Sequence, residues 1–297
     1  MDTVRPDLTI SIVNTNNRAL LETCLRSIAD TTRACALEIF VVDNASDDGS
    51  AEMVRREFPN VRLLENPTRI GFAASHNRAL ERGNGRYLMI LNEDTKILPG
   101  CFETLIAFMD AHPDAGACGP RLWNGDGSLQ RTANRFPTLL YGVFQALSIN
   151  RLWDSNPVWR NHIYAEWDRT TTRAVDAVSG AALVVRSDAV NQVGLLDANF
   201  FLYSEEVDWC LRIHQRGWKI FYVADAQAVH YGGASTATRA AEKFHRIHWN
   251  SFLYYYRKHF GAPAYWLVRG LFETRMLAHQ LLAAFKFNPS ASGQNSV

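Results

Sequence analysis

The sequence predicts an α/β fold with a mostly parallel central sheet flanked by helices, followed by a helical appendage. Short β-branched runs such as LTISIVN and EIFVVD lack alternation, which is typical of strands buried on both faces of a parallel sheet. Segments with helical spacing separate these runs, as right-handed crossover connections require. Polar residues follow the runs directly, at the sheet edge where ligands collect in open α/β folds.

The first part of the chain predicts strands and helices in alternation. The predicted strands are Leu8 to Asn14, Glu38 to Asp43, Val61 to Glu65 and Arg86 to Asn92. The predicted helices are Ala19 to Ile28, Ala73 to Arg82 and about Pro99 to His112.

A further helix is predicted directly after Ser204, which stands where an N-cap belongs, and Gly217 follows its last turn. Its apolar face is formed by residues at helical spacing: Val207, Cys210, Leu211 and His214.

Two adjacent glutamates, Glu205 and Glu206, fall in the first turn of this helix. Such a pair is costly to hold together unless a metal, a proton or a hydroxyl substrate uses it. The helix dipole favours negative charge there and is expected to keep a carboxylate ionised and basic. Asp208 either belongs to this carboxylate group or forms a surface helix pair with Arg212, and the sequence favours neither reading.

The polar residues after the strands suggest a nucleotide site. They are Asn14, Asn16, Asn17, Asp43, Asn44, Asn92, Glu93 and Asp94. No GxGxxG or GxxxxGK[ST] stands at these turns, so neither common phosphate-binding fingerprint is present. Asp43 is suited to accept the imino hydrogen of a pyrimidine base, and a metal on Asp94 would neutralise a diphosphate.

Composition narrows the function classes. The chain has 297 residues and a formal net charge of +1, which gives no reason to expect nucleic-acid binding. Its five cysteines are scattered without a CxxC pair, which fits a reducing cytoplasm better than a disulfide framework. The N-terminal MDTVRPD has no apolar signal region, so secretion by that route is not expected.

Six segments in order carry a resemblance to a known family. They are VVDNASDDGS, NPTRIGFAASHNRAL, LMILNEDTKILPG, VSGAALVVRSDAV, FFLYSEEVDWCLRIHQRGW and AVHYGGAST. They resemble the signature segments of inverting family 2 glycosyltransferases, in particular the bacterial rhamnosyltransferase-like branch. The resemblance covers roughly Leu8 to Ser235.

The resemblance implies a GT-A fold and a domain division. Residues 1–235 would form the glycosyltransferase domain, with the donor-binding half at about 1–125 and the acceptor-binding half at about 126–235. Residues 236–287 would form a helical appendage, and the polar tail 288–297 is expected to be disordered.

The resemblance also implies roles for individual residues. The DxD metal motif appears as Asn92, Glu93 and Asp94, so only its last acid is matched. His230 matches a histidine that completes the metal site for Mg²⁺ or Mn²⁺, and Glu206 matches the general base, with Glu205 as the alternative. The implied nucleotide-sugar-binding residues are Asn16, Asp43, Asn44, Gly71, Asn77, Asn92 and Asp94. The implied acceptor-binding residues are Trp209 and Gly180.

The implied reaction is a single in-line displacement that inverts the anomeric centre. The donor would be a UDP- or dTDP-linked sugar, with rhamnose as one candidate, and the acceptor a hydroxyl of a glycan or a polyprenyl-diphosphate-linked saccharide in cell-surface polysaccharide synthesis. Two alternatives stay open: a nucleotide-sugar-binding protein without catalysis, and a membrane-docked scaffold that keeps the fold.

The segment after Ser235 is rich in basic and aromatic residues. Such helices suit the surface of an anionic membrane, which would place a cytoplasmic enzyme on the inner face of the cell membrane. A helical pair that packs on the catalytic domain or on a second subunit explains the composition equally well. Charged residues interrupt the apolar run, so a membrane-spanning helix is not expected.

Between Gln130 and Arg173 regular periodicity is lost, and the sequence predicts a long loop that binds the acceptor and closes as a lid. Trp153, Trp159 and Trp167 are candidate sugar-stacking rings, although core packing is expected for at least one of them.

Overall fold

A computed structural model describes residues 5–232 and 241–286, and it confirms the predicted α/β fold. The strands are β1 Leu8–Asn14, β2 Leu37–Asp43, β3 Arg62–Glu65, β4 Tyr87–Asn92, β5 Thr95–Ile97, β6 Ala115–Trp123, β7 Ala133–Asn134, β8 Arg173–Val175, β9 Ala177–Val178, β10 Ala182–Arg186 and β11 Lys219–His230. The helices are α1 Arg18–Thr31, α2 Ser50–Glu57, α3 Phe72–Leu80, α4 Cys101–Ala111, α5 Leu139–Ala146, α6 Ile149–Leu152, α7 Pro157–His162, α8 Ser187–Val193, α9 Glu205–Gln215 and α10 Ala241–Lys286.

The central sheet of the described residues has the strand order β3-β2-β1-β4-β10-β6-β11-β5, with β8 added beside β11. The first four strands in this order are parallel, as predicted. β10 pairs antiparallel with both β4 and β6, and this insertion makes the sheet mixed. β7 and β9 form a separate antiparallel pair.

The sheet is buried on both faces, which explains why its central strands read as continuous apolar runs. Along β4, Tyr87, Met89 and Leu91 belong to one apolar cluster, whereas Leu88 and Ile90 belong to another. The first cluster contains side chains of α1, α2 and α4, and the second contains side chains of α3, α8 and α9. Successive side chains of a strand point to opposite faces, so helices cover both sides of the sheet.

The polar strand ends meet as the sequence predicts. In the register of the parallel strands, Asn14 lies beside Asp43, and Val13 lies beside Asn92. The ends of β1, β2 and β4 therefore form one edge of the sheet.

The chain divides into two compact units, and the division differs from the expected boundary near residue 235. Of the described residues, the first unit contains those up to Phe136 together with those of His162–Phe252. The second contains Pro137–Asn161 and the described residues from Leu253 onward. Ser235 and the predicted disordered tail lie outside the described residues.

The prediction of a long irregular loop between Gln130 and Arg173 is wrong, because this segment contains β7, α5, α6 and α7. In the second unit α5 packs against α10: the hydroxyl of Tyr256 donates to Thr138 O at 2.8 Å. A Cβ on Gly142 would lie 2.5 Å from Tyr256 Cζ, so this contact requires glycine. In the first unit Trp167 packs on the apolar cluster, and its ring centroid lies 4.9 Å from that of Tyr222.

The predicted helical appendage is present as α10, in which Gly261 has a φ of 82° and separates two helices. Across residues 5–232 and 241–286, no helix combines the length and the apolarity that crossing a membrane requires.

Candidate active site

The first group of candidate residues lies at the ends of β1 and β2. Asp43 is buried, with its carboxylate receiving Asn14 Nδ2 at 3.3 Å and the backbone N–H of Ser46 at 2.9 Å. A carboxylate oxygen accepts more than one hydrogen bond, so these contacts leave acceptor capacity. They also fix the carboxylate in one orientation.

Asn16 and Asn44 use their amides on neighbouring loops. Asn16, at a φ of 55°, donates to Asp47 Oδ1 at 2.7 Å and accepts the Asp47 N–H at 2.9 Å. Asn44 exchanges hydrogen bonds with the backbone N–H and carbonyl of Ile70 at 2.9 and 3.0 Å. In the structure both residues therefore brace the loops around the strand ends.

Gly71 and Asn77 connect α3 to the segment before α9. A Cβ on Gly71 would lie 3.0 Å from the backbone of Phe201, and the adjacent Phe72 N–H donates to Phe201 O at 2.7 Å. Asn77 Nδ2 donates to Leu196 O at 2.8 Å. These contacts hold in place the chain that leads to the glutamate pair.

At the end of β4, Asn92 and Asp94 point to one place and Glu93 turns away. Glu93 accepts from Asn17 Nδ2 at 2.7 Å, and burial together with the charge of Asp94 raises the pKa of the Glu93 carboxyl to about 7. Asp94 Oδ1 lies 3.1 Å from His230 Nε2, and Asn92 Nδ2 lies 3.1 Å from the same nitrogen. The structure therefore brings Asn92, Asp94 and His230 together.

The donor atoms of Asp94 and His230 fit a divalent cation. Two neighbouring ligands of an octahedral ion with bonds of about 2.1 Å are separated by about 3.0 Å, close to the 3.1 Å between Asp94 Oδ1 and His230 Nε2. Within the described ranges Asp94 Oδ1 is buried and receives no hydrogen bond, so its lone pairs stay available. No group of three or more acidic, histidine or cysteine ligands occurs among the described residues, so most of the coordination shell would come from other molecules.

The glutamate pair begins α9 as predicted, but the electrostatics differ from the expectation. Burial raises the pKa of the Glu205 carboxyl well above its usual value, and the charge of Glu206 raises it further. Burial also raises the pKa of Glu206, and the backbone N–H groups of Glu206 and Val207 offset only part of this shift. Desolvation raises the pKa of both carboxyls by more than the helix N-terminus lowers it, so the helix dipole does not hold either carboxyl at an ordinary pKa.

The residues before the pair adopt a left-handed backbone. Tyr203 has a φ of 71° and Ser204 a φ of 67°, and non-glycine residues rarely occupy this region. Ser204 is the N-cap residue by position, but its side chain makes no capping hydrogen bond, which corrects the predicted role. The sharp turn directs the first turn of α9 toward Gly180.

A short turn joins the glutamate and the metal candidates. A Cβ on Gly180 would lie 3.4 Å from Glu206 Cβ, so Gly180 lies close beside the first turn of α9. The next residue, Ala181, accepts the backbone N–H of Asn92 at 2.9 Å. The turn between β9 and β10 therefore connects the first turn of α9 with the residues after β4.

The expectation for Trp209 is wrong, and the structure shows which contact Asp208 makes. Trp209 has no exposed surface, and its indole N–H donates to Gly194 O at 2.9 Å, so it is a core residue that an acceptor cannot reach. Asp208 is also fully buried and pairs with Arg212 at 2.8 Å, while Arg212 donates to the carbonyls of Val193 and Leu195. This pair is a buried structural contact and not a surface pair.

Gln130 contacts the site although sequence analysis gave it no role. Its Oε1 lies 3.0 Å from His230 Nδ1. Gln130 belongs to no motif and to no periodic segment, so the sequence offers no signal for this contact.

An α/β sheet with a paired carboxylate at a helix start and an aspartate and histidine at the strand ends has the layout of a nucleotide-sugar-dependent transferase. The family profile for glycosyl transferase family 2 matches residues 9–189. The chain belongs to this family and is a glycosyltransferase.

One relative is similar over most of the chain. An N-acetylglucosaminyl-diphospho-decaprenol L-rhamnosyltransferase of Mycobacterium tuberculosis is 30% identical over 269 residues, which make up 86% of this chain and 87% of the relative. The resemblance to the rhamnosyltransferase-like branch is thereby confirmed.

Solved structures confirm the GT-A fold. A mannosyltransferase from Pyrobaculum calidifontis in complex with GDP-Man and Mn²⁺ has a TM-score of 0.57 at 19% identity and covers 97% of this chain and 77% of its own. The TarS 1-349 structure of S. aureus in complex with UDP-GlcNAc has a TM-score of 0.54 at 17% identity and covers 81% of this chain and 64% of its own.

Proposed function

We propose that this glycosyltransferase inverts the anomeric centre of a nucleotide-diphosphate sugar, with Glu206 as the general base and Asp94 and His230 as ligands of a divalent cation. The observation that carries the proposal is the turn at Gly180 and Ala181. A Cβ on its first residue would lie 3.4 Å from Glu206 Cβ, and its second residue accepts the backbone N–H of Asn92. A base and a leaving-group site at two ends of one short turn suit a single displacement.

Glu206 is better placed than Glu205 to meet an acceptor. Glu205 is only 4% exposed, whereas Glu206 is partly exposed and adjoins the Gly180 turn. A carboxylate with a raised pKa is a stronger base at neutral pH than an ordinary one. Glu206 would take the proton of the acceptor hydroxyl, and Glu205 would support the site.

Asp94 and His230 would hold Mg²⁺ or Mn²⁺, which supplies positive charge to a departing nucleoside diphosphate. Asp43 would accept the imino hydrogen of a pyrimidine base at the ends of β1 and β2. A uracil or thymine nucleotide fits this role. The structural relatives bind UDP-GlcNAc and GDP-Man, so the fold admits more than one base.

The mycobacterial relative supports the choice of substrates. Its name specifies transfer of L-rhamnose to N-acetylglucosaminyl-diphospho-decaprenol. We therefore assign the present chain a dTDP- or UDP-linked sugar donor, with rhamnose as the first candidate. The acceptor would be a saccharide on a polyprenyl diphosphate in cell-surface polysaccharide synthesis.

A lipid-linked acceptor requires the enzyme to work at a membrane surface. In the second unit Trp266 and Leu267 on α10 are 62% and 47% exposed, beside the basic residue Arg269, whose guanidinium lies 5.4 Å from the Trp266 ring centroid. Exposed aromatic and basic side chains suit an anionic interface. We assign this helix a peripheral contact with the inner face of the cell membrane.

The test begins with thermal stabilisation by a panel of nucleotide sugars, each with Mg²⁺, with Mn²⁺ and with EDTA, because a ligand of the folded state raises the apparent stability. The stabilising donor is then incubated with N-acetylglucosaminyl-diphospho-polyprenol, and NMR reads the anomeric configuration of the product. Donor binding without transfer to any saccharide acceptor would favour a binding protein. A product that retains the donor configuration would contradict the single displacement.

A further inference from the structure

We propose that Gln130 is a positioning residue that holds His230 in the one tautomer able to bind a divalent cation. The inference rests on the proposed metal site at Asp94 and His230 and names a residue outside it. It follows from the orientation of one side-chain amide.

The amide of Gln130 can be oriented in only one way. Its Nε2 lies 3.1 Å from the backbone carbonyl oxygen of His230 and 2.7 Å from Asn124 Oδ1. A backbone carbonyl only accepts hydrogen bonds, so the group that faces it must be the NH₂ group. The amide oxygen therefore faces His230 Nδ1 at 3.0 Å.

This orientation fixes the proton on the imidazole. An amide oxygen only accepts, so His230 Nδ1 must carry the hydrogen, and a neutral imidazole carries one. His230 Nε2 is then an unprotonated nitrogen, and it faces Asp94 Oδ1 and the Asn92 amide, each at 3.1 Å. Metals bind the lone pair of a neutral imidazole, and a partner on the other nitrogen sets the tautomer and the ring direction.

Gln130 is itself held by the hairpin that follows β6. Its backbone N–H donates to Leu122 O at 2.9 Å. Asn124, the second partner of its amide, donates to Ser128 Oγ at 2.8 Å, and its backbone carbonyl accepts the Gly127 N–H at 2.9 Å. The amide is thus fixed from both sides before it meets His230.

Loss of the acceptor at Nδ1 should favour the other tautomer. In Gln130→Met the side chain keeps its length but offers Nδ1–H no amide oxygen. A hydrogen on Nε2 would then lie beside the Asp94 carboxylate, which attracts it. Asp94 and His230 would then share a proton at the place where their two lone pairs otherwise face a cation.

The first experiment reads the tautomer without any metal. The imidazole ¹⁵N shifts of the full chain are measured at pH 8 in EDTA, and the His230 signals are assigned by their loss in His230→Gln. We expect the Nδ1–H tautomer in the natural sequence and a shift toward Nε2–H in Gln130→Met. An Nε2–H tautomer in the natural sequence would overturn the proposal.

The second experiment separates the tautomer from stability by comparing three variants. Gln130→Met removes the acceptor of the Nδ1–H. Gln130→Glu keeps an oxygen for Nδ1–H but loses both donated hydrogen bonds. Gln227→Met is the control, because it removes a structural glutamine of β11 that accepts from Trp123 at 2.9 Å. Mn²⁺ binding is followed by electron paramagnetic resonance in the presence of UDP and, separately, of dTDP. Melting temperatures are measured on the same samples.

We expect Gln130→Met to weaken Mn²⁺ binding by about 10- to 100-fold, the usual effect of losing a partner of a ligating histidine. Gln130→Glu should be less stable yet bind Mn²⁺ within about threefold of the natural protein, and Gln227→Met should bind it unchanged. Affinity that follows the melting temperature across the variants would overturn the proposal. If the natural protein binds no Mn²⁺, the metal assignment in the proposed function fails, whereas the ¹⁵N experiment still decides the tautomer.

Discussion

Asp94 Oδ1 and His230 Nε2 lie 3.1 Å apart because β-sheet pairing brings their backbones together. β5 begins directly after Asp94 and pairs antiparallel with the end of β11, where Thr95 lies beside His230. The backbone N–H of Tyr231 donates to Asp94 O at 2.9 Å and extends this pairing. Strand pairing therefore holds together two residues that are far apart in sequence.

Asp94→Ala should lose metal-dependent donor binding while the fold survives. Asp94 Oδ1 receives no hydrogen bond among the described residues, so its removal breaks none. We expect the donor affinity in Mn²⁺ to fall by about tenfold or more and the affinity in EDTA to stay the same. Calorimetry with and without metal measures both.

Asp225→Ala is the matched control, because Asp225 is an exposed aspartate on β11 outside the site. It should bind donor like the natural protein. An unchanged metal-dependent affinity in Asp94→Ala would remove Asp94 from the metal site.

Local sequence patterns predicted the part of the fold that depends on burial alone. β1 and α1 agree with the predicted segments because the strand is buried at every position and the helix buries Leu21, Cys24, Leu25 and Ile28 at helical spacing. The antiparallel insertion of β10 and the pairing of β5 with β11 depend on long-range register, which local spacing does not encode.

The site shows the same limit. Asp94, His230 and Glu206 were predicted as site residues because motif segments carry them, whereas Gln130 carries no motif. Trp209 was misassigned because the resemblance does not show which side chains of α9 face the core, where Trp209 is buried. The helices α5 to α7 were missed because several of their apolar side chains are exposed, such as Leu140 at 53%, so no regular apolar face appears.

The left-handed Ser204 predicts a stabilising substitution. A non-glycine residue at positive φ costs on the order of 1 kcal/mol or more, and Ser204 has no capping hydrogen bond to lose. Ser204→Gly should raise the free energy of unfolding by up to about 1 kcal/mol, because part of the gain is offset by the freedom of glycine in the unfolded chain. Urea denaturation measures the change.

Ser204→Ala separates the effect of backbone strain on stability from the effect of losing the hydroxyl. It keeps the strained backbone and should leave stability within about 0.5 kcal/mol of the natural protein. If alanine and glycine have equal effects, the strain at this position is not the cause.

The exposed aromatic surface of α10 predicts binding to anionic vesicles. The joint variant Trp266→Ala and Leu267→Ala should weaken co-sedimentation with vesicles of mixed neutral and anionic lipids, because both exposed side chains would otherwise be buried in the interface. Rising salt should weaken binding of the natural protein through its basic residues.

Phe201→Ala is a control in the first unit, where Phe201 is 45% exposed, and it should bind vesicles normally. Deletion of residues 264–297 should abolish binding. Full retention after the deletion would point to another surface, and no binding by the intact chain would favour a role of this segment in protein packing.

The two glutamates should separate in kinetics. Glu206→Gln keeps the shape of the side chain but cannot take a proton, so kcat should fall by about 100-fold or more while donor affinity changes little. Glu205→Gln should be milder if Glu205 only supports the site. Both are measured at saturating donor and acceptor. An inactive Glu205→Gln beside an active Glu206→Gln would reverse the assignment.

The buried Glu205 carboxyl also predicts how stability depends on pH. Its pKa in the folded protein is raised well above the ordinary value of about 4.3 that it has in the unfolded chain, chiefly by burial and then by the charge of Glu206. Below the unfolded pKa both states hold the proton, and the stabilisation is fully present. As pH rises, the unfolded chain releases the proton first, so the free energy of unfolding falls until the folded carboxyl also ionises. Glu205→Gln cannot ionise, so the stability of this variant relative to the natural protein should grow from about pH 4.5 toward pH 8.

Urea denaturation at each pH measures the difference, with Glu81→Gln as the control at an exposed glutamate. Parallel curves for Glu205→Gln and the natural protein would show that Glu205 ionises at its ordinary pKa.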